Sequence, residues 1–113
     1  MRYLELLARA RAGETSPQIA RSLGLTRQGV TYHLNRHARE EWQRIQTHRR
    51  INDLKTAQNA LGEANGQLAK VYARARFNLA RLELERLAKR LHGVTDLRRL
   101  PEPWRSMLYP PDA

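Results

Sequence analysis

The stretch that decides the fold is Ser16–Asn35, which reads SPQIARSLGLTRQGVTYHLN. Thr15 precedes this stretch, and a hydroxyl before Pro17 indicates a helix start, because it can accept from free backbone amides while proline tolerates the first helical position. Gly24 indicates the end of that helix, and Thr26 can cap a following one. The sequence therefore predicts two short helices joined by a tight turn.

The apolar and small residues of this stretch follow a pattern known from bacterial and phage helix-turn-helix proteins. Ile19 and Ala20 stand where the two helices of that motif cross, Gly24 at the turn, Leu25 just after it, and Val30 where the third helix faces the second. The stretch resembles that family along the whole motif, and is most similar to the versions in sigma-factor DNA-reading domains and response regulators. The resemblance implies DNA binding.

The motif is assigned to an N-terminal domain that begins with another helix. Residues 1–41 would form the helix-turn-helix domain, about a third of the chain. Within it, the dense apolar spacing of residues 3–12 predicts a short amphipathic helix before the motif. His33 occupies a position that is usually aliphatic in the family. We therefore expect the third helix to pack through Val30 and Leu34, with His33 half-exposed.

The same resemblance implies which side chains contact DNA. The helix that follows Thr26 would enter the major groove and read bases with its exposed polar face. That face consists of Thr26, Arg27, Gln28, Thr31, Tyr32, Asn35 and Arg36. Arg27 suits the paired acceptors of guanine, and Gln28 suits adenine. At the start of the second helix, phosphates would be held by Thr15, Ser16 and Gln18.

The charge of the chain supports a partner rich in phosphate. Lys and Arg number 21 against 11 acidic residues, so the net charge is +10 and the pI is about 11.2. Double-stranded DNA is the first candidate partner. No apolar run approaches the roughly 20 residues that span a bilayer, and no signal-peptide pattern opens the chain. We expect no membrane partner and a cytoplasmic location, in a bacterium or in the host of a phage.

Few residues are arranged for catalysis or metal binding. The chain has no Cys, which excludes disulfides, thiolate metal sites and a cysteine nucleophile. His33 and His37 precede Glu40 and Glu41 at a spacing that could bind zinc, but arginines crowd the same turn. We expect no metal, no cofactor and no catalytic residue, so the sequence predicts a binding protein rather than an enzyme.

Beyond the motif the sequence predicts long helices. Residues 37–61 show no alternating strand pattern, which indicates an all-α fold without a β wing. Gly62–Gly66 is the strongest break, and it either turns a helical hairpin or interrupts a continuous coiled coil. A helix from about Gln67 to Leu91 follows. Residues 42–92 are the most basic region, with 11 basic and 4 acidic residues.

Two apolar stripes run along this region. One comprises Leu54, Leu61, Leu68, Tyr72, Ala75, Leu79 and Leu82, and the other Phe77, Ala80, Leu84, Leu87 and Leu91. Two stripes on one helix predict two partners, namely the preceding helix and a second subunit. The alternative is that both stripes pack within a monomeric bundle. The candidate oligomerisation residues are Leu54, Leu61, Leu68, Tyr72, Leu79, Leu82, Leu84, Leu87 and Leu91.

The tail, residues 93–113, is bounded by prolines and predicted to be irregular. Its apolar cluster is Trp104, Met107, Leu108 and Tyr109. The cluster either packs on the chain's own helices or is held for a protein partner. With 3 basic and 3 acidic residues, the tail is balanced in charge and apolar, so that lasting exposure would be costly. Packing on the chain is the favoured interpretation.

The functional prediction is sequence-specific DNA binding by an oligomeric helix-turn-helix protein, first of all a transcriptional regulator. The layout of motif, long helices and short tail also resembles phage small terminase subunits, which select viral DNA for packaging. A third interpretation, prompted by the sigma-like motif, is an accessory factor of RNA polymerase. A dimer would favour the regulator, and a ring of about eight or more subunits would favour the terminase.

Overall fold

The protein is all-α, as predicted. The computed structural model describes residues 2–111 and the side chains of residues 3–111; residues 1, 112 and 113 of the predicted terminal regions lie outside this range. The helices are α1 (Arg2–Arg11), α2 (Ser16–Leu23), α3 (Arg27–His37), α4 (Arg39–Glu63), α5 (Gln67–His92), a short 3-10 helix (Leu97–Arg99) and α6 (Trp104–Leu108). Between residues 2 and 111 there is no strand. None of the described helices is long and apolar enough to cross a membrane.

The chain forms two compact units, Met1–Gln46 and Thr47–Ala113, called here the N-terminal and C-terminal units. The division falls inside α4. Trp42, only 3% exposed, belongs to the core of the N-terminal unit, and Ile45 packs against that core. The first unit therefore extends beyond the predicted boundary at residue 41, because the first turns of α4 complete its core.

The N-terminal unit is built around α3, which contacts both α1 and α2. Its buried residues are Leu6, Leu7, Ala10, Ile19, Ala20, Val30, Leu34 and Trp42. Val30 and Leu34 are fully buried, whereas His33 is half-buried. Residues four apart share one face of a helix, so Val30 and Leu34 carry the packing of α3. The prediction for these three residues is confirmed.

The α2–α3 connection follows from local signals in the sequence. Thr15 caps α2, and the Thr26 hydroxyl caps α3 by accepting from the backbone N–H of Gly29 at 2.9 Å. Gly24 has φ 66°, a left-handed conformation that glycine adopts without steric cost. The N–H of Leu25 then donates to the carbonyl of Ala20 at 2.9 Å. These contacts fix the turn between the two helices.

A further break separates α3 from α4. It lies at Ala38, with φ −143° and ψ 41°. The Ala38 N–H still donates to the carbonyl of Leu34 at 2.9 Å, and the Ala38 carbonyl accepts from the N–H of Trp42 at 2.8 Å. The chain therefore starts α4 immediately, which brings Trp42 to the first core.

The C-terminal unit contains an antiparallel hairpin of α4 and α5. Its core joins Ile51, Leu54 and Ala57 of α4, Ala80, Leu84 and Ala88 of α5, and Leu97, Leu100 and Trp104 of the tail. Two polar contacts also link the helices. Arg50 Nη1 donates to Glu83 Oε2 at 2.7 Å, and Thr47 Oγ1 lies 3.1 Å from His92 Nε2. The chain therefore reverses between Glu63 and Gln67, and the continuous-helix alternative is wrong.

The tail packs onto the hairpin, as the sequence favoured. Trp104 is 8% exposed within the core, and Met107 and Leu108 pack against it. The expectation of a wholly irregular tail is wrong, because the prolines precede a helix instead of preventing one. The N–H of Trp104 donates to the carbonyl of Pro101 at 3.0 Å and so begins α6.

Candidate nucleic-acid interface

The polar face predicted on α3 is exposed over the length of the helix. Thr26, Arg27, Gln28, Tyr32, Asn35 and Arg36 are exposed, and Thr31 is half-buried. Tyr32 is 56% exposed although it is a large aromatic residue. Its hydroxyl accepts from Arg36 Nη1 at 3.1 Å, so these two side chains form one hydrogen-bonded pair on the surface.

The first turn of α3 presents side chains that are not engaged elsewhere. The side chains of Arg27 and Gln28 form no hydrogen bond or ion pair with residues 3–111. The Thr26 hydroxyl accepts from the N–H of Gly29 to form the cap, and the hydroxyl proton remains available to donate. The first turn contains no acidic residue, and the amino end of a helix carries partial positive charge. This end of α3 therefore favours acceptor groups and anions.

The start of α2 is arranged differently from the prediction in one respect. Thr15 and Gln18 form a capping box, in which the Thr15 N–H donates to Gln18 Oε1 at 2.8 Å and the Gln18 N–H donates to Thr15 Oγ1 at 3.4 Å. Sequence reasoning missed this role of Gln18, although a glutamine three residues after a cap is its usual signal. The Gln18 amide can still donate outward. Ser16 is half-buried.

Arg21 is a further exposed residue that sequence reasoning did not select. It follows Gln18 by three residues, so both lie on the solvent side of α2, whereas Ile19 and Ala20 are buried. The available signal was a basic residue in an outward register of a predicted DNA-binding helix. Arg21 therefore extends the polar surface of α2 with a cation.

The histidines considered for zinc take part in a row of stacked rings. His37 stacks on Tyr3 with ring centroids 4.9 Å apart, and His33 lies 6.2 Å from His37 with nearly parallel planes. Within residues 2–111 no group of three or more His, Cys, Asp or Glu side chains is placed to hold a metal ion. The ring contacts connect α1 to the side of α3.

Comparison with known proteins adds no relative. No family model matches the chain, and neither a curated protein nor a solved structure is significantly similar to it.

The nine candidate oligomerisation residues fall into three groups by exposure. Leu54, Leu84 and Leu87 are 8%, 0% and 6% exposed, and Leu61 and Leu91 are half-buried. Leu68, Tyr72, Leu79 and Leu82 are 67%, 69%, 56% and 43% exposed. Assigning Leu54, Leu84 and Leu87 to an intersubunit surface is wrong, because their side chains are covered by this chain. Val71, 57% exposed, is a member of the exposed group that sequence reasoning missed.

Proposed function

We propose that the protein binds double-stranded DNA in a sequence-dependent way, with α2 and α3 acting as a helix-turn-helix, and that it is a transcriptional regulator. The observation that carries the proposal is the division of α3 into two faces. Val30 and Leu34 fix one face in the core, and the other presents polar side chains from Arg27 to Arg36. A rigid helix with an exposed hydrogen-bonding face is what the major groove can accept.

Base reading is assigned to the first turn of α3 and to Asn35. Arg27 can donate two hydrogen bonds to the O6 and N7 acceptors of guanine, and Gln28 can pair with the N6 and N7 edge of adenine. Both side chains are without a hydrogen bond or ion pair to residues 3–111, so contact with a base breaks no side-chain bond within that range. Asn35, also exposed, can pair with a further adenine.

Phosphate contacts are assigned to the start of α2 and to exposed cations. The Thr15 hydroxyl and the Gln18 amide retain donors after forming the capping box, and Arg21 adds charge on the same helix. Such contacts position a protein on the duplex without reading its sequence. The net charge of +10 supports strong, salt-dependent binding.

The proposal describes a binding protein and not an enzyme. Its support is chemical, since the exposed face of α3 consists of hydroxyl, amide, phenol and guanidinium groups. These groups suit recognition of base edges and phosphates. No metal or cofactor is part of the proposal.

One alternative remains, a small terminase subunit that recognises viral DNA for packaging. The observation that favours it is the α4–α5 hairpin with a tail packed against it, which matches the layout expected for that class. Both functions use the same DNA-binding surface, so the number of subunits separates them. The interpretation as an RNA polymerase accessory factor has less support, because Trp104 of the tail is covered by the chain's own core.

A selection experiment tests the proposal. The full-length protein would be incubated with a pool of random DNA duplexes, bound duplexes recovered over several rounds, and affinities then measured for the selected site and for scrambled DNA. We expect a defined motif bound about 1,000-fold or more tightly than scrambled DNA at physiological salt. Recovery of no motif, with equal affinity for all duplexes, would leave nonspecific phosphate binding and overturn the proposal.

A further inference from the structure

One side of α5 carries a continuous apolar surface that residues 47–111 leave uncovered. It consists of Leu68, Val71, Tyr72, Ala75, Leu79 and Leu82, called here the α5 stripe. Its five large side chains are 43% to 69% exposed, and Ala75 is exposed as well. Apolar side chains grouped in this way mark interaction surfaces, whereas isolated ones are common on any protein.

The α5 stripe points away from the α4–α5 core. Ala80, Leu84 and Ala88 face α4 and are at most 9% exposed. At about 100° of rotation per residue, Ala75 and Leu82 lie on roughly the opposite side of the helix from Leu84. The hairpin and the docked tail therefore leave the stripe free for another molecule.

The spacing of the stripe indicates the kind of partner. Leu68, Tyr72, Ala75, Leu79 and Leu82 are separated by steps of four, three, four and three residues, which average the 3.5-residue period of a coiled-coil seam. Residues of both signs flank the seam, with Arg76 and Glu83 on one side and Asn78 and Glu85 on the other. A narrow seam flanked by polar and charged residues suits a second helix of the same period better than a lipid surface, which takes a wide apolar face.

We propose that the α5 stripe is the contact surface of a two-fold symmetric dimer, in which α5 of a second copy packs antiparallel. An antiparallel pairing sets Leu68 against Leu79 of the second copy and Tyr72 against its Ala75. The large Tyr72 then faces the small Ala75, which is how well-filled helix interfaces are built. A parallel pairing would place Tyr72 against Tyr72 and Ala75 against Ala75, with crowding in one layer and a void in the next.

Charge also distinguishes the two orientations. Arg86 and Lys89 continue the spacing of the seam and are exposed. A parallel pair would bring each against its own counterpart, which is unfavourable for like charges. An antiparallel pair keeps Arg86 and Lys89 away from their own counterparts.

The size of the stripe is adequate for self-association. Two stripes of this exposure would remove on the order of 1,000 Å² from water, which is near the lower limit for a specific interface. The dimer does not depend on DNA binding, because α5 and the candidate DNA-binding helices lie in different units. The DNA-binding proposal and the dimer proposal can therefore be tested independently of each other.

Sedimentation equilibrium of the full-length protein tests the dimer. Wild type should be a dimer at micromolar concentration, and Leu79→Asp should raise the dimer dissociation constant by at least about 100-fold, because the dimer would bury two unpaired carboxylates. Circular dichroism should show unchanged helix content, since Leu79 is 56% exposed in the single chain. Leu4→Asp is the matched control, because Leu4 is 53% exposed on α1, and this variant should remain dimeric.

Disulfide crosslinking tests the orientation, and the absence of native Cys makes every crosslink assignable. Leu68→Cys and Leu79→Cys proteins, mixed and oxidised, should give a mixed disulfide dimer, while each alone should give little. Crosslinking of each variant with itself would overturn the antiparallel arrangement. A monomeric wild type, or a Leu79→Asp variant that stays dimeric, would overturn the dimer. Stripe-dependent binding of a monomer to anionic phospholipid vesicles would instead assign the stripe to a lipid surface.

Discussion

Gly29 shows how a single residue in the candidate recognition helix serves the fold. A glycine inside a helix costs about 1 kcal/mol relative to alanine. A Cβ at residue 29 would lie 3.0 Å from Thr26 Oγ1. That hydroxyl caps α3 through the N–H of the same glycine. The missing side chain therefore makes room for the cap.

We predict that Gly29→Ala fails to stabilise the protein. The gain in helix propensity of about 1 kcal/mol is offset by a crowded cap, since loss of a threonine cap costs about 0.5–2 kcal/mol. Gly62→Ala is the control, because that helical glycine has no atom within 4 Å of an added Cβ, and it should raise the free energy of unfolding. Urea denaturation checks both variants. Equal stabilisation by the two would show that Gly29 does not protect the cap.

The burial of His92 should make the stability of the C-terminal unit depend on pH. Burial lowers the pKa of His92 below its usual 6.5, so the unfolded chain takes up a proton at a higher pH than the folded one. Stability therefore falls as pH decreases below about 6.5. Between pH 7.5 and 5.5 the Tm of wild type should decrease more than that of His92→Gln, measured by circular dichroism. Equal decreases would mean that His92 makes no contribution.

Among the helices, the limits set by local sequence signals could be predicted, whereas contacts between residues distant in sequence could not. The limits of α2 and the start of α3 follow from Thr15, Gly24 and Thr26, whose effects reach only a few residues. Trp42 joins the first core only because α4 begins directly after Ala38. The helix α6 likewise depends on packing of Trp104 against the hairpin. Such contacts join residues far apart in sequence and have no local pattern.

We predict that Trp104→Ala strongly destabilises the C-terminal unit. Trp104 is 8% exposed in a core that joins α4, α5 and the tail, and truncation of a buried tryptophan costs about 3–5 kcal/mol. Tyr109→Ala removes an aromatic residue that is 48% exposed, and it should change stability by less than about 1 kcal/mol. Urea denaturation compares the two. Similar small effects of both would mean that the tail is not docked in solution.

At the scale of the whole molecule, the sequence predicted two apolar faces on α5 but not which one the chain covers. Both stripes contain leucines at helical spacing, so composition does not separate them. The hairpin covers the side with Leu84 and Ala88, and Leu68 and Leu79 remain exposed. The exposed polar face of α3 was more predictable, because Val30 and Leu34 alone could supply its buried side.

The proposed dimer bears on the biological role. A two-fold contact uses the same surface on both copies and closes after two subunits, whereas a ring requires two different complementary surfaces on each subunit. A closed dimer therefore favours the regulator, and a measured mass of about eight or more subunits would favour the packaging protein. A dimeric regulator should also protect a DNA site with two related halves.

Base reading by α3 is the central claim, and the affinity of Arg27→Ala for the selected site against scrambled duplex tests it most directly. The variant should lose about 1–3 kcal/mol of binding free energy on the selected site and accept other bases at one base pair. Its affinity for scrambled DNA should change little. Arg105→Ala removes the same charge from the C-terminal unit, where Arg105 pairs with Glu102, and should retain full specificity. Equal losses of Arg27→Ala on both duplexes would contradict the account, because Arg27 would then contact only phosphate.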